Sequence, residues 1–347
     1  MITPAYPPKP SPGDRIAVIS PASGLPGLFP LPYELGLQRL REVYGLEPVE
    51  YPATRKTGAT PRERADDIHA AFADPDVKAV IATIGGDDQI TVLPLLDREL
   101  IRAHPKPFIG MSDNTNLLAF LRNTGIVGYH GASVMVELGR PGAMNPQTAD
   151  SLRAALFTSG PYELRPADRW NDVDRDWADP ATFDEEPPSR PGTGWTWVND
   201  DRVAEGRGWG GNLEILGWLL MADREIADPA QYDGDVLFLE TSEELPSAAE
   251  VFRTLRNMGE RGLLRRFSAL LMARAKTWSF EHPNSPEEAA RYAADQREAV
   301  LSAMRMYAPD TPIVFDVDFG HTDPQVVIPY GGTVRVDGPA RRITVTY

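Results

Sequence analysis

None of the 347 residues is cysteine. Thiolate nucleophiles, disulfides and Cys-ligated zinc are therefore excluded together, and any nucleophilic chemistry falls to hydroxyl, imidazole and carboxylate groups. The strongest local feature is Gly110-Met-Ser112-Asp-Asn114, where an apolar stretch, Pro107-Phe-Ile-Gly110, meets a helical segment running from about Asn114 to Asn123. A serine on a strand-to-helix turn is held outward, and the helix amides behind it can face developing negative charge. The pattern departs from Gly-x-Ser-x-Gly, because Asn114 stands in place of the second glycine. Ser-Asp ahead of a helix is also an ordinary N-cap, so the motif alone does not choose.

A serine nucleophile needs a base to take its proton and a third group to orient that base. The candidates are His69, His104, His130, His282 and His321. His69 lies in the polar helical stretch Asp66-Asp-Ile-His-Ala70, and His104 and His282 precede prolines in polar loops. His130 follows a strand-like stretch, and His321 sits in Asp318-Phe-Gly-His-Thr-Asp-Pro324, directly after the apolar run at Ile313. Loops at strand ends present catalytic groups, which leaves His130 and His321 both open. Among 50 carboxylates, Glu240 stands out because it ends the apolar run Val236-Leu-Phe-Leu239, where a carboxylate is costly unless paired or facing water. Gly85-Gly86-Asp87-Asp88 follows another apolar run, and glycines there let backbone amides approach a ligand, as an oxyanion hole requires. No Lys-Ser/Thr follows them as in a phosphate loop, and no Gly-x-Gly-x-x-Gly follows the first strand.

These residues need elements to hold them. Arg15–Ser20, Glu47–Tyr51, Lys78–Ile84 and Pro107–Gly110 read as strands. Helical segments at Pro32–Tyr44, Pro61–Phe72 and Asn114–Asn123 alternate with them. Such β-α alternation predicts a parallel sheet with ligands at its C-terminal strand ends. Residues 165–205 carry Trp170, Trp177, Trp195 and Trp197 among Asp, Glu, Pro and Gly, and read as a long connection whose tryptophans favour function over disorder. Beyond it come a helix at 211–222 opened by the glycine-rich turn Gly208-Trp-Gly-Gly-Asn212, a strand at 235–240, a helix at 247–262, a strand at 268–272, a helix at 286–306 and a tail of short strands.

The net charge of −15 argues against nucleic acid and against a polybasic membrane anchor. The proline-rich opening, Met1 to Asp14, is not patterned as a signal peptide, and no run approaches the ~18 apolar residues of a membrane helix. The expectation is a cytoplasmic protein.

Taken in chain order, Pro12-Gly-Asp-Arg-Ile-Ala-Val-Ile-Ser20, Ile84-Gly-Gly-Asp-Asp88, Gly110-Met-Ser-Asp113, Gly210-Gly-Asn-Leu213, Leu237-Phe-Leu-Glu240 and Gly320-His321 resemble the LD-carboxypeptidase family of serine peptidases over most of the chain. The resemblance implies an α/β fold in two domains. Residues 1–164 would form a parallel-sheet domain of flavodoxin or Rossmann type carrying Ser112. A Trp-rich loop at 165–205 would lead to a smaller mixed α/β domain at 206–347 carrying Glu240 and His321. By the same resemblance Ser112 attacks, His321 rather than His130 is base and then acid, Glu240 orients it, and the amides of Gly86 and Asp113 hold the oxyanion. Gly85, Asp87, Asn212 and Trp177 would contact substrate, with no metal or organic cofactor, in a homodimer.

Two substrate styles occur in that family: removal of D-alanine from muropeptides, and cleavage of aminoacyl-nucleotide conjugates by the microcin C immunity branch. Asp176-Trp-Ala-Asp-Pro180, Gly194-Trp-Thr-Trp-Val198 and Gly320-His-Thr-Asp-Pro324 resemble the second branch, in which a loop tryptophan matching Trp177 stacks on the base. Stacking is worth about 1–3 kcal/mol per base; the other role open to Trp177 is pinning the loop to the body. A murein carboxypeptidase is the rival within enzymes. A non-catalytic small-molecule binding protein is the rival outside them, disfavoured because all three triad positions are filled.

Overall fold

The computed structural model describes residues 4–347. Its first half alternates strand and helix: β1 (Arg15–Ile19), α1 (Pro30–Glu42), β2 (Glu47–Glu50), α2 (Pro61–Ala73), β3 (Val77–Ala82), α3 (Arg98–Ala103), β4 (Phe108–Gly110), α4 (Thr115–Thr124), β5 (Gly128–His130) and α5 (Pro146–Phe157). The five strands run parallel in the order β2-β1-β3-β4-β5, the doubly wound arrangement whose crevice opens where the order reverses, beside β1 and β3. Ile16 to Ile19 and Ala79 to Ala82 are fully buried, which is why these strands read as continuous apolar runs instead of alternating ones. The helices carry their own stop and start signals. Thr60 and Glu63 form a capping box before α2, with Pro61 in its first turn, and Gly125 closes α4 at φ 95°.

The second half contributes β6 (Pro161–Leu164), the short ribbon of β7 (Arg169–Trp170) and β8 (Arg190–Pro191), β9 (Thr196–Val198), β10 (Val203–Asn212), α6 (Leu213–Ala222), β11 (Val236–Glu240), α7 (Ala248–Glu260), β12 (Ala269–Ala273), α8 (Pro286–Tyr307), β13 (Ile313–Val317), β14 (Ile328–Tyr330), β15 (Thr333–Asp337) and β16 (Arg342–Thr346). Eight of these strands make a second sheet, β6-β16-β15-β10-β11-β12-β13-β9. Its β10-β11-β12-β13 core is parallel and its flanks are antiparallel.

The two sheets trade strands. β6, which follows directly on α5, pairs with β16 in the second sheet, while β14 crosses back to lie antiparallel to β5, with Ile328 opposite His130. The tryptophan-rich stretch is also more than a connection, since Thr196–Val198 forms the edge strand against β13. Gly208–Asn212, expected as a turn, is instead the end of the ten-residue strand β10. Its glycines answer to close packing: a Cβ on Gly210 would lie 1.8 Å from the Phe238 carbonyl oxygen, and one on Gly211 2.6 Å from Thr115 Oγ1. Among the described residues no helix is long and apolar enough to cross a membrane.

Candidate active site

Ser112 follows β4 and takes φ 58°, a left-handed backbone that costs a non-glycine residue roughly 1–3 kcal/mol and clusters at functional sites. The turn presents a half-exposed side chain against the loop after β3. A Cβ on Gly85 would fall 2.8 Å from both Ser112 Cβ and Oγ, so only glycine leaves room for the serine there. Gly86 and Asp87 are exposed in the same loop. Among the described residues no acceptor takes a hydrogen bond from the backbone amides of Gly86 and Asp113, which suits donors kept for a ligand oxygen. The Asp113 side chain turns inward. Its carboxylate accepts from the amide of Gln89 at 2.9 Å and from Asn116 Nδ2 at 2.7 Å, and burial pushes it up to about 7.

The second sheet delivers the other groups. Asn212 at the end of β10 stands opposite Glu240 at the end of β11. The Asn212 amide donates to Thr115 Oγ1 at 3.1 Å, tying this strand end to the first turn of the helix behind Ser112. Asn212 Oδ1 caps α6 through the Ile215 amide at 2.9 Å, while its Nδ2 is buried and has no partner among the described residues. Glu240 is fully buried, and its Oε2 lies 2.6 Å from His321 Nδ1. Gly320, at φ 87°, lets the His321 loop press on it, because a Cβ there would come within 2.6 Å of Glu240 Cβ.

The 165–205 segment holds that loop from outside. Buried Asp318 accepts from the Ala167 amide at 3.0 Å and from Trp195 Nε1 at 2.8 Å. Asn171 and Asp323 exchange backbone hydrogen bonds. Trp177 packs edge-on against Phe29, with ring centroids 5.8 Å apart, on the loop that follows β1.

Burial drives Glu240 toward its neutral form, but the His321 charge and the neighbouring imidazoles outweigh it and hold the carboxyl at about 2. Burial likewise pushes His321 down, and the carboxylates of Glu240 and then Glu243 more than offset it, raising the imidazole to about 9. Glu243, three residues beyond Glu240, was not singled out in the sequence. Its Oε2 sits 3.2 Å from His321 Nε2, the nitrogen a serine base would use. No hydrogen bond joins Ser112 to His321; the imidazole is clamped between two carboxylates, and Ser112 follows the strand end at Gly110 that pairs with His130, itself 3.9 Å from Glu240. Glu214, at the start of α6, adds a third carboxyl that accepts from Ser242 N and Oγ at 2.9 and 2.6 Å. Burial, then the charge of Glu240, raise it to about 7.

A doubly wound parallel sheet joined to a mixed sheet, with polar groups converging on their strand ends, is a two-domain α/β architecture. Residues 16–131 match the LD-carboxypeptidase N-terminal domain and residues 205–336 the LD-carboxypeptidase C-terminal domain, and the chain belongs to the LD-carboxypeptidase family. It is 26% identical over 291 residues to the microcin C7 self-immunity protein MccF of Escherichia coli, covering 83% of this chain and 79% of that protein. It is 36% identical over 150 residues to the murein tetrapeptide carboxypeptidase of Pseudomonas aeruginosa, covering 41% of this chain and 46% of that one. The crystal structure of an MccF-like protein from Streptococcus pneumoniae in complex with AMP superposes with a TM-score of 0.85 at 26% identity, over 96% of this chain and 99% of the other.

Proposed function

We propose that this peptidase-family chain is a serine hydrolase that cleaves the amide joining an aminoacyl group to a nucleotide-like moiety. The observation that carries the reading is the buried Glu240–His321 pair at 2.6 Å, set at the same group of strand ends as a serine on a positive-φ turn. Ser112 Oγ attacks the carbonyl carbon while His321 Nε2 takes its proton. The amides of Gly86 and Asp113 receive the oxyanion. His321 returns the proton to the leaving amine, and water then hydrolyses the acyl-enzyme by the same steps. Glu240 keeps the Nδ1–H tautomer and stabilises the imidazolium. Glu243 has to leave Nε2 before the first step.

Gly85, Asp87 and Asn212 face the substrate, and Trp177 stacks on the base. The nucleotide preference draws support from the resemblance to MccF and from AMP in the complex of the MccF-like protein. No metal or organic cofactor takes part, and the enzyme works in the cytoplasm as a homodimer. Removal of D-alanine from muropeptides is the second reading, favoured by the 36% identity with the murein tetrapeptide carboxypeptidase.

Turnover of an aminoacyl sulfamoyl adenosine and of a murein tetrapeptide by the wild type and by Ser112→Ala tests both. We expect faster cleavage of the adenosine conjugate and none by the variant. Undiminished cleavage by Ser112→Ala removes the serine mechanism, and preference for the tetrapeptide selects the second reading. A wild-type chain that binds the conjugate and returns it intact is a binding protein.

A further inference from the structure

His130 has no part in the steps above, yet it is as deeply buried as Glu240. It ends β5 and is fully buried. Its ring stands edge-to-face against Phe238 and Phe319, with centroids 5.3 and 5.9 Å away. Among the described residues neither ring nitrogen has a hydrogen-bond partner, and the same is true of Glu240 Oε1. A buried polar atom without a partner costs about 1–3 kcal/mol, so three at one place call for an explanation. Two of the three face each other: His130 Nε2 lies 3.9 Å from Glu240 Oε1, while Oε2 of the same carboxylate is taken by His321 Nδ1.

We propose that His130 is a positioning residue that donates Nε2–H to the free oxygen of Glu240, so that the two oxygens of one carboxylate hold two imidazoles. The arrangement spans the two sheets. His130 belongs to the first and Glu240 to the second, and the rings of Phe238 and Phe319 leave the imidazole little freedom to turn away. The carboxylate plane, and through it the direction of the His321 ring, is thereby set from both halves of the molecule. The groups bearing on the carboxylate are His321, His130 and Glu214, and those bearing on His321 are Glu240, Glu243 and Glu214.

Withdrawing the His130 donor leaves more of the Glu240 charge to His321, so the His321 imidazolium becomes more stable. The sign is the same whether His130 is neutral or charged, since a lost cation acts in the same direction as a lost dipole. The inference rests on the triad reading, but its readout is kept independent of turnover.

The test is a long-range 1H–15N titration of the five histidines in the full chain, with His130→Phe and His130→Gln. In the wild type, His130 is expected with Nε2 protonated; a neutral Nδ1–H tautomer overturns the proposal even if neither variant folds. His130→Phe, which keeps an aromatic ring between the two phenyls, is expected to raise the His321 pKa by about one unit. It should also lower kcat by about tenfold with KM little changed. His130→Gln, which keeps an N–H donor, should recover most of both. A folded His130→Phe chain in which His321 titrates as in the wild type overturns the role. A chain in which His321 titrates as expected but no substrate is cleaved fails the hydrolase reading and leaves this one standing.

Discussion

Replacing Glu243 by Gln separates the imidazole's two carboxylate neighbours. Glu243 Oε2 lies 3.2 Å from His321 Nε2, and the glutamate side chain is 55% exposed. At that separation two unit charges interact by about 1.3 kcal/mol at the dielectric of water, the appropriate limit for a solvated group. That is about one pKa unit.

In the proposed mechanism the base form of His321 is the neutral one, and the carboxylates hold its pKa up at about 9, so acid would disable it through protonation. Glu243→Gln removes one of the charges favouring the imidazolium, and the His321 pKa falls by about one unit. The acid limb of kcat/KM moves to lower pH by the same amount, and turnover well below the limb rises by about tenfold. Because kcat/KM reports the free enzyme and kcat the complex, a substrate that itself displaces Glu243 leaves the kcat limb moved less than the kcat/KM limb. The assay is release of the sulfamoyl nucleoside across pH 5.5 to 10 for wild type and variant, with Glu244→Gln as the control for net charge. A limb that stays in place, or moves to higher pH, refutes the argument that Glu243 holds His321 protonated.

Two further substitutions probe the rest of the site. Trp177→Ala is expected to lower kcat/KM for an adenosine conjugate by about tenfold or more while changing tetrapeptide cleavage little. Equal losses on both substrates would assign the tryptophan to its packing on Phe29. Gly85→Ala places a methyl 2.8 Å from both Ser112 Cβ and Oγ, so turnover should fall at least tenfold, with a modest drop of the thermal midpoint from the overpacked turn. Full activity in that variant would mean the serine works from another rotamer or not at all.

Much of the molecule is readable along the chain because the determining interactions are local. The buried runs at Arg15–Ile19 and Val77–Ala82, the proline-led helices α1 and α2, and the strand ending in Glu240 all announce themselves through periodicity, capping or an abrupt change of polarity. The placing of Ser112 at a strand-to-helix turn belongs to this group. So does the field of two histidines, since His130 and His321 each end or follow a strand.

Tertiary structure alone decided how these pieces meet. The exchange of β6 and β14 between sheets depends on pairings such as Ile328 with His130, nearly two hundred residues apart, and strands of three or four residues carry too little period to declare a partner. Gly208–Asn212 looked like a turn because glycines usually mark one. Here they admit the Phe238 carbonyl and the Thr115 hydroxyl at distances no side chain allows, a demand set by neighbours remote in sequence. The relation between His130 and His321 is the clearest case. Spacing could not separate them, and in the folded chain both approach one carboxylate, at 2.6 Å from Oε2 and 3.9 Å from Oε1. Residue types determined which groups could do chemistry. Which oxygen each imidazole faces, and that Glu243 stands before Nε2, are properties of packing, because hydrogen-bond geometry is settled over tenths of an ångström that sequence separation does not encode.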